Sequence, residues 1–387
     1  MTIPYARQSI DGTDAAAVLD TLQSAWLTQG PTIPQFEKAV AEYCGVKYAV
    51  AVNSATSALH IACLSAGLGK GDISWTSPNT FVASANCAEY CGARSDFVDI
   101  DADTGNMSID QLRLKLKAAQ RSNTLPKVLI PVHFAGHSCD MAELYKQAKQ
   151  HDITVIEDAS HAIGGSYRGH RIGSCNYSDM TVFSFHPVKI ITSGEGGMIL
   201  TNRRDLYEKL LLLRSHGITR DASLFSGDSH GPWYYEQGVL GFNYRMTDIQ
   251  AALGNSQLKR IQSFVERRNA IAARYEDLLL DLPVDSLKVD SENCSAYHLY
   301  VIRLRLNEIR KTRRQVYEVL HEQGILVNVH YIPVHTQPYF AKKYGYKWGD
   351  FTESERYYQE AISLPMFYEL DDDSVNKVVS ALRRALG

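Results

Sequence analysis

Lys189 sits in FSFHPVKIITSGEGGMILTN (183–202), between apolar runs at 181–186 and 197–201 that read as buried strands. Taken alone it is either an ordinary solvated loop lysine or an amine held out of water. A neutral amine in a partly desolvated site condenses with a carbonyl. Asp158 closes a second apolar run, ITVIEDAS (153–160). A carboxylate there can bind a metal, act as a base, hold a ring nitrogen protonated, or simply cap a turn. Ala55, Thr56 and Ser57 open a helix in NSATSALH (53–60) directly after the run YAVAV (48–52). Free N–H groups and the helix dipole favour an anion at such a place, and hydroxyls add donors, although the same residues also serve as a plain N-cap. Ser184 offers one more hydroxyl five residues before Lys189, and Gly194, Gly196 and Gly197 permit a tight turn with close backbone approach. An aldehyde cofactor with a phosphate handle and a pyridine nitrogen uses all three places at once. Lys189 would take the aldehyde, Asp158 the ring N–H⁺, and the 55–57 turn with Ser184 the phosphate. That is the arrangement pyridoxal 5'-phosphate requires, with the cofactor as electron sink.

The elements that must carry these residues alternate. Strands are expected at 48–52, 72–77, 95–101, 127–134, 153–160, 181–186 and 197–201. Helices are expected at 13–26, 34–45, 80–92, 108–120 and 140–151. Near-continuous apolar strands separated by helices imply a mostly parallel sheet of seven strands covered on both faces. Ligands then sit beyond the carboxyl ends of the strands. After about residue 255 the texture changes to a long amphipathic helix, an alternating strand at 298–305, a helix at 312–324, a strand at 325–333 and a helical tail. The chain therefore divides into a large α/β unit, 1–254, and a smaller α+β unit, 255–387.

Composition excludes several classes. An apolar fraction of 45% with 21% charged residues is that of a globular chain, and a net charge of −3 leaves no electrostatic footprint for nucleic acid or a membrane surface. No basic-then-apolar leader and no run long enough to span a bilayer is visible. The seven cysteines are irregularly spaced, and Cys87 and Cys91 have no second pair, so zinc is not expected and reduced thiols in a cytoplasmic enzyme are. GLGKGD (67–72) lacks phosphate-loop spacing and reads as a turn. His186, before a proline, is given no catalytic role. The aromatic stretch 233–235 reads as loop packing.

The set NSATSAL, SPNTFVAS, EDASHAIGG, FSFHPVKIITSGEGGMILTN, LRSHG and GFNYRMTDIQAALG resembles, in order and spacing, the DegT family of sugar-nucleotide aminotransferases, from about Tyr5 to the C-terminus. The resemblance implies the fold-type I (aspartate-aminotransferase-like) architecture of pyridoxal phosphate enzymes. It also implies a ping-pong transfer of an amino group, with glutamate as donor, to a keto sugar on a nucleotide. SAWLTQGP, HLYVI and VHYIPVH resemble members acting on a UDP-linked 4-keto-6-deoxy sugar in pseudaminic acid biosynthesis. Carried over residue by residue, Lys189 matches the Schiff-base lysine and Asp158 the pyridine partner. His161 falls beside the ring, with a buried core histidine as the plain alternative, and Phe81 falls where an aromatic side chain stacks on it. Ala55, Thr56, Ser57 and Ser184 match the phosphate site. Asn243 matches an asparagine that reaches the phosphate from a neighbouring subunit, which implies a homodimer with shared sites. Tyr5, Ala25, Trp26, Leu27 and Thr28, together with Val329, His330, Tyr331 and Ile332, match segments that contact the sugar nucleotide. Ser74-Trp75 and the aromatic-rich segment 221–241 depart from many relatives and leave the sugar open. Rivals are another nucleotide-linked 4-keto or 3-keto sugar as acceptor, a sugar dehydratase of the same family, which carries His where Lys189 stands, and a cofactor-binding sensor without turnover.

Overall fold

The computed structural model describes residues 2–387. Seven strands form the main sheet: β1 (Tyr48–Val52), β2 (Ile73–Thr76), β3 (Arg94–Phe97), β4 (Val128–Ile130), β5 (Thr154–Asp158), β6 (Met180–Ser184) and β7 (Gly197–Thr201). Their spatial order is β1-β7-β6-β5-β4-β2-β3. Only β7 runs against its neighbours, and the rest are parallel. The expected fold-type I sheet is therefore present. Its strands are apolar throughout because both faces are covered. Alternation divides them: Ala49, Ala51, Phe183, Met198 and Leu200 enter one core, while Val50, Val52, Val182 and Ile199 enter the other.

Helix ends follow local chemistry. Ser54 caps helix Ala55–Ser65 by accepting from Ser57 N at 3.1 Å. Thr312 and Gln315 form a reciprocal capping box that starts helix Arg313–Glu322, as its sequence suggests. The helix expected from residue 80 begins instead at Ala83, because Asn79 and Thr80 are spent in the preceding turn.

A second sheet of three antiparallel strands, β8 (Val284–Ser286), β9 (Tyr300–Leu304) and β10 (Ala361–Leu364), packs on helices Ile261–Leu279, Arg313–Glu322 and Asp372–Leu386. Ile3 joins this core, and Ile3–Pro4 pairs in parallel with Ile325–Leu326. The strand expected over 325–333 holds only for those two residues. Beyond them the backbone donors go elsewhere: Asn328 N to Ser363 O at 3.2 Å and Tyr331 N to Asn79 Oδ1 at 3.4 Å, and Pro333 has none. The strand expected over 127–134 likewise stops at Ile130, before Pro131. We propose the division at 254/255 as the boundary of the two units; helix Asp248–Leu258 crosses it.

Candidate active site

Asp158 and Ser184 end adjacent parallel strands, where Asp158 pairs with Val182 across the ladder. These carboxyl ends and the turn after β1 open on one cavity of about 550 Å³. Asp158 is buried, and its strand end is pinned by His133 N donating to Asp158 O at 3.0 Å and Asp158 N donating to Pro131 O at 2.9 Å. One carboxylate oxygen accepts from Ser84 Oγ at 2.6 Å and the other from Ser160 N at 3.1 Å. Each oxygen keeps a lone pair for a further donor.

Lys189 follows β6 in a loop that is not free. Ile190 and Ile191 are buried in the core, Ser193 N and Thr192 Oγ1 both donate to Phe185 O at 3.0 Å, and Lys189 N donates to His186 O at 2.9 Å. Burial pulls the Lys189 amine down to about 8, against the opposing pull of Asp158. A substantial neutral fraction therefore exists near pH 7 to 8.

At the start of helix Ala55–Ser65, no protein acceptor among the described residues takes the Ala55 or Thr56 N–H. Gly197 allows this turn to lie against β7: a Cβ there would meet Ala55 N and Ser54 O at 2.6 Å. Gly194 turns the same loop with φ +79°. Ala55, Thr56 and Ser184 line the cavity; Ser57 lies behind the turn, its hydroxyl 3.0 Å from Ser54 Oγ. Ser54 itself faces the cavity. The motif S-x-x-S held that signal, since the cap position precedes the first helical residue.

The opposite wall comes from the amino terminus and the 328–331 segment. Tyr5, Val329, His330 and Tyr331 line the cavity, and Ile332 turns out to solvent, 49% exposed. Tyr331 Oη and His161 Nε2 share a hydrogen bond of 3.1 Å, and His161 lies 4.4 Å, ring to ring, from His298. His161 is buried with Nδ1 unpartnered. Burial first, and the Lys189 amine second, push His161 and His298 well below the ordinary imidazole range and His330 to about 3, so all three are neutral at pH 7. Phe81 stands half out in the mouth, its ring 6.2 Å from that of Tyr331.

The cavity does not include every expected residue. Ala25, Trp26, Leu27 and Thr28 are exposed outside it, with Thr28 bridging Thr247. Asn243 is exposed and bridges Ser215. Sequence reasoning missed Ser84, which lies inside the quoted motif NTFVAS, and His298, which begins HLYVI. Neither has a spacing of its own that announces contact with the site. Of the 233–235 stretch, Tyr234 packs against Phe225 and His230 and Tyr235 lies 5.4 Å beneath the Arg220 guanidinium, while Trp233 and Tyr235 remain largely exposed. A larger crevice of about 690 Å³ between residues 101–113, 137–146 and 288–293 holds none of these groups, and its Arg113 is paired with Asp110 and Glu143.

A doubly covered, mostly parallel sheet with a desolvated lysine, a strand-end carboxylate and an open helix N-terminus around one cavity defines a fold-type I pyridoxal phosphate enzyme. Residues 8–383 match the model of the DegT/DnrJ/EryC1/StrS aminotransferase family, and the chain belongs to that family. It is 39% identical over 383 residues to spore coat polysaccharide biosynthesis protein SpsC of Bacillus subtilis, covering 98% of this chain and 96% of that one. It is 36% identical to the UDP-4-amino-4,6-dideoxy-N-acetyl-beta-L-altrosamine transaminase of Campylobacter jejuni, covering 95% and 93%. Among solved structures, Helicobacter pylori PseC, an aminotransferase involved in the biosynthesis of pseudoaminic acid, superimposes with a TM-score of 0.90 at 31% identity over 100% and 99% of the two chains. The chain is an aminotransferase, and pyridoxal phosphate is its cofactor.

Proposed function

We propose that this aminotransferase moves an amino group from L-glutamate to the keto carbon of UDP-2-acetamido-2,6-dideoxy-beta-L-arabino-hex-4-ulose, in the cytoplasm, for pseudaminic acid or a related surface glycan. The observation that carries the chemistry is the convergence of Lys189, Asp158 and the Ala55–Thr56 N–H groups on one cavity. The residues fit the cofactor: the two free N–H groups and Ser184 would hold its phosphate, Asp158 has lone pairs free to take the ring N–H⁺, and Phe81 and His161 line the cavity where they would meet the ring. Bound there, pyridoxal phosphate supplies an electron sink for the carbon that exchanges its proton. Lys189 takes and returns that proton, which its lowered pKa suits near neutral pH. Asp158, held by Ser84 and Ser160, would keep its carboxylate fixed for the ring nitrogen. Tyr5, Val329, His330 and Tyr331 form the wall against which the sugar packs.

In this reading a second copy completes the site. Asn243, Ala25–Thr28 and Ile332 serve the neighbour's cavity or its mouth, and their exposure in the single chain supports that role. The UDP-linked sugar rests on resemblance to the altrosamine transaminase and PseC. The higher identity to SpsC favours keeping a second reading, in which the acceptor is another nucleotide-linked keto sugar.

The test is incubation with L-glutamate and a panel of UDP-, dTDP- and GDP-linked 4-keto and 3-keto sugars, following 2-oxoglutarate release and the amino sugar by mass spectrometry. Turnover confined to the UDP-linked 4-keto sugar upholds the first reading. Turnover confined to another member moves the assignment to the second, and glutamate conversion with no acceptor turned over overturns both.

A further inference from the structure

His161 and Tyr331 come from opposite walls of the cavity and meet there. His161 follows β5 in a turn fixed by Ala162 N donating to Ala159 O at 2.8 Å, with Ala162 and Ile163 in the core below. Its side chain has one hydrogen-bond partner: Nε2 lies 3.1 Å from Tyr331 Oη, and Nδ1 has none. Tyr331 makes no other side-chain hydrogen bond among the described residues. The two rings are inclined by 26°, and Phe134 stands edge-on to Tyr331 at 6.2 Å. Tyr331 N donates to Asn79 Oδ1 at 3.4 Å, and Asn79 Nδ2 donates to Gly105 O at 3.2 Å. The tyrosine is thereby tied to the unit that carries β5. His298 adds a second contact, its ring 4.4 Å from that of His161. Its backbone is fixed in turn: His298 O accepts from the buried Arg268 Nη1 at 3.3 Å, and Leu299 N donates to Ala135 O at 3.2 Å.

We propose that Tyr331 is a positioning residue for the cofactor, acting through His161: its hydroxyl holds the imidazole in the orientation in which it meets the cofactor ring. This rests on the reading that His161 meets that ring. The outer torsion of a histidine side chain is soft, with a broad well, so packing alone fixes the ring plane weakly. One directional hydrogen bond sets it. The residue that supplies the bond is itself held, by its main chain at Asn79 and by Phe134 against its ring. Without the Tyr331 hydroxyl, both nitrogens of a buried imidazole are left unpartnered, which is the costly arrangement. The ring must then turn or admit water. Burial also keeps His161 and His298 neutral, so the clamped imidazole offers the cofactor a ring face and not a second positive charge. The 328–331 segment is thus more than a wall for the sugar. Through Tyr331 it presets the cofactor's surroundings before either substrate enters, and it serves both halves of the transfer.

The test reads cofactor binding first, because binding needs neither donor nor sugar. The full-length apo protein is titrated with pyridoxal 5'-phosphate and followed by the visible absorbance of the bound cofactor. Tyr331→Phe keeps the ring and removes only the hydroxyl. It should weaken binding about tenfold, the scale of one hydrogen bond whose partner stays buried, and shift the visible band. His161→Phe should weaken binding at least as much, and adding Tyr331→Phe to it should change the affinity by less than about twofold. His161→Gln serves as a second background, with the same non-additivity expected. The half-reaction with L-glutamate alone, followed by loss of the visible band, should slow about tenfold in Tyr331→Phe at saturating glutamate. Cofactor affinity in Tyr331→Phe equal to that of the parent overturns the inference. A full tenfold loss on adding Tyr331→Phe to His161→Phe or His161→Gln overturns it too, as does an effect of Tyr331→Phe confined to the sugar half-reaction. The affinities do not depend on which sugar is the acceptor, so this inference and the substrate reading fail separately.

Discussion

Two regions of this molecule are built in opposite ways. Asp158 ends one buried strand and Lys189 lies in the loop that follows its neighbour, with loop and strand ends pinned by main-chain hydrogen bonds. Trp26, Leu27, Trp233 and Leu240, on the 24–28 and 221–241 segments, stand in water, Leu240 at 81% exposure. Groups that make and break bonds are positioned by elements whose geometry the core dictates. The exposed residues lie on segments with little core of their own, where residues can change without disturbing the sheet, which suits the partner-contacting role proposed for 25–28.

The sharpest break of that contrast is at the lysine. Lys189→Ala should lower amino transfer by about 10³-fold or more and remove the visible absorbance of the loaded enzyme. Retention of either would separate the reaction from the buried region. Asp158→Asn keeps the shape but not the charge, and transfer should fall by about 10²-fold, the scale of one lost electrostatic partner, while cofactor is still bound. Gly197→Ala places a Cβ 2.6 Å from Ala55 N, so the anion turn must shift. We expect cofactor affinity to fall about tenfold and stability by roughly 1–3 kcal/mol, measured by titration and denaturant unfolding.

The pH dependence of Lys189 sharpens the same point. Its folded pKa of about 8 lies below its ordinary 10.5. Trapping of an aldehyde on Lys189 by borohydride in the apo protein should rise about tenfold from pH 7 to 9 and then level off, whereas an exposed lysine keeps rising. Between about pH 8 and 10.5 the unfolded chain holds a proton at this position that the folded chain has lost. This group's contribution to stability therefore grows as pH rises through that window. The smallest effect belongs to the exposed region. Trp233→Ser should leave unfolding within about 0.5 kcal/mol of the parent. Denaturant unfolding checks this: a loss well beyond that would show Trp233 packed rather than standing in water.

The legibility of the sequence follows the same division. β1, β5, β6 and β7 were readable because burial on both faces leaves uninterrupted apolar runs, and the strand ends then pointed to Asp158, Ser184 and Lys189. Ile325–Leu326 looked like the start of a long strand because VNVHYIP is β-rich, yet the segment meets β10 only at a single bridge, Asn328 to Ser363, before Tyr331 N turns to Asn79 Oδ1. Tyr331 against His161 and Arg268 against the carbonyls of Tyr297 and His298 are long-range contacts without local periodicity. The short helices were missed because Pro338–Tyr344 spans seven residues and buries only Phe340, too short for a helical period, while polar residues dominate Thr352–Glu360.

The parallel pairing of Ile3–Pro4 with Ile325–Leu326 has a consequence for biosynthesis. A nascent polypeptide emerging from the ribosome carries Tyr5 first, but the strand that fixes it beside the cavity is made more than three hundred codons later. The Lys189 loop is made well before that strand, so the wall opposite must wait for the final stretch of synthesis. Stalled or prematurely terminated products would then hold the reactive amine in an unfinished, open basin.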